Sequence, residues 1–158
     1  MKTKVSRKVA QIAMASMALF IGADFAHASM DWDTEDLLTP QSEKLLVKRL
    51  TQLCEDAGAC TEDSGVKVHG AACQSTIERT GFPFFFVRYD TRCFAYISRS
   101  YGSTYDEDVG CVLYETTSSY DTDRLKDAIE EFNAGNGGLP TDEMMTNYRG
   151  CLNRIKGI

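Results

Sequence analysis

The sequence predicts a disulfide-stabilised α+β domain: an N-terminal helix, an antiparallel β-meander of three to four strands, and two C-terminal helices packed on one sheet face. Three observations lead there. Apolar residues recur at helical spacing at both ends of the chain, the middle is rich in aromatic and β-branched residues at period two, and six cysteines follow an export leader.

The leader covers residues 1–28. Lys2, Lys4, Arg7 and Lys8 form a positive start, the stretch from Val9 to Ile21 is apolar apart from Gln11 and Ser16, and Gly22 breaks it. Ala26-His27-Ala28 then places small residues where a signal peptidase cuts, before Ser29. The run is too short for the ~20 residues of a membrane-spanning helix. It is also apolar on every side, unlike an amphipathic helix of a folded domain. The expected product is therefore exported, to the periplasm or the medium, with no membrane insertion after cleavage. The leader takes four of the 17 Lys+Arg and one of the 23 Asp+Glu, so residues 29–158 carry 13 against 22, a net charge of −9. Such a chain is repelled by nucleic acid and anionic lipid, and its electrostatic partners are basic protein surfaces or cations.

Residues 29–38, SMDWDTEDLL, read as an acidic flexible lead-in, and 39–158 as a single domain. Thr39-Pro40 starts a helix with Thr as N-cap and Pro in the first turn. Leu46, Leu50, Leu53 and Ala57 share one face of it beside Cys54, and Gly58 stops it. A short strand fits residues 65–68, and 71–80 is either a short helix or irregular. Strands are expected at 84–89, 92–98 and 109–115, with Asp90-Thr91 as a tight hairpin turn between the first two. Cys93, Ala95 and Ile97 share a face opposite Phe94 and Tyr96; Val109, Cys111 and Leu113 share one opposite Val112 and Tyr114. Asp121 or Thr122 caps a helix with the stripe Leu125, Ala128, Ile129 and Phe132. Thr141 caps the last one, whose buried face is Met144, Tyr148, Cys151, Leu152 and Ile155.

Cys54, Cys60, Cys73, Cys93, Cys111 and Cys151, an even number on an exported chain, predict three disulfides in any of 15 pairings. No C-x-x-C pair is present and His69 is the single histidine after the leader, so the pattern is not that of a zinc, haem or thioredoxin-type site. No metal or other cofactor is expected. His69 is the only histidine base for a hydrolase, and no G-x-S-x-G turn accompanies it. Ser64-Gly65-Val66-Lys67 has the S-x-x-K spacing, but Gly65 and Val66 are poor in the helix that motif needs. Asp31-x-Asp33-x-Glu35 resembles the opening of a calcium loop, yet Asp36 stands where glycine belongs and Ser42 where glutamate belongs.

Two surfaces suit a binding role. One is an aromatic strand carrying Phe84 and Phe86, with Phe94 and Tyr96 after it. The other is the segment 98–108, whose Tyr101, Tyr105, Asp106, Glu107 and Asp108 combine tyrosine contact area with negative charge. The expectation is a small acidic exported binding protein, an inhibitor or immunity-type protein for a partner with a basic surface. A small envelope hydrolase using carboxylates or His69 is one alternative; a structural or assembly component of the envelope is the other.

Overall fold

The protein is described by a computed structural model covering residues 30–81, 86–100 and 106–157. By contact density the chain divides into two units. The smaller holds residues 30–32, 78–81 and 86–87 of those described; it is extended chain, with Phe86 72% and Val87 49% exposed. The three helices, the core and all three disulfides belong to the larger unit, 33–77 and 88–157.

The element order is β1 (Met30–Asp36), α1 (Pro40–Asp56), a 3₁₀ turn (Glu62–Ser64), β2 (Val66–Thr80), β3 (Phe86–Ser100), β4 (Asp106–Thr116), α2 (Ser119–Asn133) and α3 (Asp142–Lys156). The strands form one antiparallel sheet in the order β1-β2-β3-β4. The α+β class, the meander and the two C-terminal helices are as the sequence predicts, with three corrections.

The first concerns the lead-in: residues 30–36 form β1 beside β2, with Thr34 and Thr76 hydroxyls 3.1 Å apart and the Gln74 amide donating to Asp36 at 2.8 Å. A strand thus precedes the first helix. The second concerns Asp90-Thr91, which is no turn. β3 runs unbroken through it, because Thr91 is fully buried and its hydroxyl lies 3.0 Å from that of Ser75 and 2.8 Å from that of Thr122. Thr122 therefore serves the core instead of capping α2; that cap is Ser118, which accepts from the Asp121 N–H at 3.3 Å. Third, residues 66–80 are a single strand, which absorbs both the short strand and the ambiguous segment after it.

The remaining helix ends follow the sequence signals. Thr39 accepts from the Ser42 N–H and Thr141 from the Met144 N–H, each satisfying an otherwise orphaned amide of the first turn. Gly65 caps the 3₁₀ turn at φ 64°, and a Cβ there would lie 2.6 Å from the Ser100 carbonyl oxygen, so only glycine fits.

Alternation builds the core. Cys93, Ala95 and Ile97 of β3 and Cys111 and Leu113 of β4 are fully buried, and they join Leu46, Leu50 and Cys54 of α1, Leu125, Ile129 and Phe132 of α2, and Met144, Tyr148 and Leu152 of α3. Along β2 the inward phase slips. Val66 and Val68 point in, then Ala71, Cys73 and Ser75 do, which leaves His69 on the outer face. Polar ties lock the helices: the Tyr148 hydroxyl donates to the Leu50 carbonyl at 3.0 Å, and Arg49 donates to the Leu139 carbonyl while lying over the Phe132 ring. Asn133 clamps the β1–α1 junction by donating to the Leu37 carbonyl and accepting from the Thr39 N–H.

The six cysteines pair in chain order. Cys54–Cys60 closes the end of α1, Cys73–Cys93 crosses from β2 to β3, and Cys111–Cys151 ties β4 to α3. Three disulfides fit an oxidising environment outside the cytoplasm. No helix among the described residues is long and apolar enough to cross a membrane.

Candidate functional site

The sequence predicts binding residues on two surfaces, and part of each lies outside the described residues. Phe84, Tyr101 and Tyr105 lie outside the described residues. Asp106 and Glu107 open β4, Asp108 follows them on the outer face, and Phe86 is an exposed residue of the smaller unit.

The outer face of the larger unit carries an aromatic row. His69 stacks on Tyr96 with centroids 6.2 Å apart, and Tyr96 stacks on Phe94 at 6.3 Å. Gly70 makes room for Tyr96, since a Cβ there would lie 3.2 Å from the ring. His69 Nε2 is 3.2 Å from Asp108 Oδ1, with the two side chains 47% and 78% exposed. A histidine held by a carboxylate is half of an acid–base device, but here it stands on an open strand face, well hydrated, where such a pair has little catalytic or stabilising strength. Cys73 supplies no nucleophile beside it, being bridged to Cys93. Further along, Arg92 joins Glu115 at 3.0 Å and Asp90 at 2.8 Å. The contact at Asp90 Oδ1 is close in distance yet lacks hydrogen-bond geometry, so it is purely electrostatic.

The more enclosed feature is a cleft of about 590 Å³ where the end of β4 meets the first turns of α2 and α3. Tyr114, Leu125 and Ala128 contribute its apolar lining, and Glu115, itself paired with Arg92, joins Asp121, Asp142 and Glu143 around it, with Arg124 as the one cation among the described lining residues. Local rules explain each acid's position. Asp121 follows the Ser118 cap, and Asp142 and Glu143 follow Thr141, where the helix dipole favours negative charge. Their convergence is tertiary, because both helices start beside the same end of β4. The Tyr114 hydroxyl registers the result: it is held above the usual tyrosine range first by burial, then by the charges of Asp121 and Glu143, with Thr116 and Arg124 opposing.

A second, more open groove of about 470 Å³ adjoins the cleft and shares Glu115 and Glu143 with it. Its lining is Val112 of β4 and the α3 flank Thr146, Asn147, Gly150 and Arg154. Sequence reasoning did not anticipate that the first-turn acids of α3 meet those of α2 and β4. The only signal for it was the short connection between β4 and α2.

Fold and cleft together define a class: a small disulfide-bonded α+β domain with helices on one sheet face and an acidic cleft at the end of an edge strand. No protein-family model, no curated protein and no solved structure matches the chain.

Proposed function

We propose that the chain is an exported binding protein of the inhibitor or immunity type, made with a cleavable signal peptide and acting in the periplasm or the medium on a partner with a basic surface. The observation that carries this reading is the cleft, in which four carboxylates and one guanidinium surround an apolar floor formed by Tyr114, Leu125 and Ala128. Such a site suits a lysine or arginine side chain: the apolar floor takes the aliphatic stem and the carboxylates take the charged head. The net charge of residues 29–158 adds long-range attraction to a basic partner and speeds encounter.

The test is a pull-down with tagged, oxidised residues 29–158 from envelope and secreted extracts, at low and at moderate salt. One stoichiometric partner is expected, weakened by salt and by Asp121→Lys with Glu143→Lys. A parallel arm changes Tyr101, Tyr105 and Asp106 together, which asks whether the preceding segment shares the contact. Failure to capture any partner at either salt concentration sinks the proposal.

A further inference from the structure

β4 is the last strand of the sheet order, and no described strand pairs with its outer side. The alternation of β3 decides which of its backbone groups are free. Cys73 and Cys93 lie opposite each other with Cα atoms 4.0 Å apart, the close spacing of a pair that exchanges no backbone hydrogen bonds. The Ser100 N–H accordingly points to β2, where it reaches the Gly65 carbonyl, and Cys73 sends its carbonyl the other way, to the Leu37 N–H. Odd-numbered residues of β3 therefore turn their backbone groups to β4. Ala95 pairs with Cys111 and Ile97 with Val109, so the N–H and C=O groups of Gly110 and Val112 point to the open edge.

The register shifts between Cys93 and Phe94, and Leu113 has no direct partner on β3. Its carbonyl is taken by the Asn147 side chain at 2.9 Å. Beyond that tie, the groove between β4 and α3 runs from Arg154 past Gly150, Thr146 and Asn147 to Glu143 and Glu115, and there it opens into the acidic cleft. Gly150 leaves the middle of this helix flank open, with no atom from outside its own helix backbone within 4 Å of where a Cβ would stand.

We propose that this edge receives an extended segment of the partner as a fifth strand, laid between β4 and α3 with a lysine or arginine directed at Glu115 and Glu143. The inference rests on the binding reading and says how the partner is held. Charge selects the occupant. Residues 106–116 hold Asp106, Glu107, Asp108 and Glu115 and no Lys or Arg, so pairing two copies of β4 sets like charges side by side, whereas a basic strand is attracted. Backbone pairing supplies affinity that does not depend on sequence, and the acidic end of the groove selects the cation.

The probe is a blocked heptapeptide of alternating lysine and valine, titrated into isotopically labelled, oxidised residues 29–158 and followed by amide resonances. The expected result is a shift of the Gly110 and Val112 amides with slowed hydrogen exchange. Binding is expected to weaken by about tenfold or more for the glutamate–valine peptide and for Gly110→Pro. That substitution removes only an N–H turned to the open edge, where proline is tolerated, and retained thermal stability verifies its fold. Glu143→Lys provides a second variant that leaves the strand intact. Equal binding to Gly110→Pro overturns the proposal, as does a response confined to the amides of 121, 142 and 143, or no binding of the lysine peptide. If the same partner is then captured by wild type and Gly110→Pro alike, the binding function stands and the strand addition falls. Capture by neither removes both.

Discussion

Tyr148 shows how much one side chain carries. It is fully buried on α3, and its hydroxyl reaches the Leu50 carbonyl on α1. Tyr148→Phe keeps the ring and loses the bond, so a cost of about 1–2 kcal/mol is expected in urea unfolding. An unchanged midpoint would show the bond to be idle. Burial also holds its ionisation far above the ordinary tyrosine value of 10.0. Below that value both folded and unfolded chains keep the phenolic proton and stability does not vary with it. Above it the unfolded chain releases the proton and the buried one does not, so stability falls as pH rises past 10. The fall is expected to be shallower in Tyr148→Phe, measured by unfolding midpoints between pH 9 and 11. Residues such as Tyr148, Ile97 and Leu113 are legible in the sequence because period alone assigns their faces. Thr91 is not. Asp-Thr between two apolar runs has turn chemistry, and only Ser75 and Thr122, supplied by β2 and α2, make a polar residue suitable for the core.

At the scale of elements, the helices were legible because capping threonines and apolar stripes agree, as at Thr39 with Leu46 and Leu50. β1 was not, since an exposed edge strand needs no apolar alternation; Asp33, Thr34, Glu35 and Asp36 are all exposed, and the sheet holds them through backbone pairing and contacts such as Glu35 to Lys126 at 2.8 Å. The cleft escaped detection for a related reason. Its lining comes from three elements, and each acid has a sufficient local explanation as a first-turn residue or a strand residue. The bridges between elements differ in expected strength. Chain entropy assigns about 4 kcal/mol to Cys111–Cys151, which spans 40 residues, and about 2 kcal/mol to Cys54–Cys60, which spans six. Paired alanine substitutions are expected to preserve that order in denaturant midpoints, and a reversal would assign the local bridge a role in holding the end of α1.

For the whole molecule, charge and covalent ties act together. The excess of acids lowers self-association but also repels within the folded chain, and the three bridges, the buried sheet face and the three helix stripes hold it against that repulsion. The open sheet face contributes little to this balance. Its ion pairs are exposed, so raising salt is expected to affect encounter with the proposed basic partner far more than folding.

The cysteines join first to second, third to fourth and fifth to sixth, with no bridge enclosing or crossing another. In a chain crossing a membrane N-terminus first, each cysteine's correct partner is the next to arrive. An oxidant that simply links thiols in order of appearance makes no wrong bond. With the proposed export, maturation is expected to be independent of disulfide isomerase: yield is expected to be the same in cells lacking the isomerase and to collapse in cells lacking the oxidant.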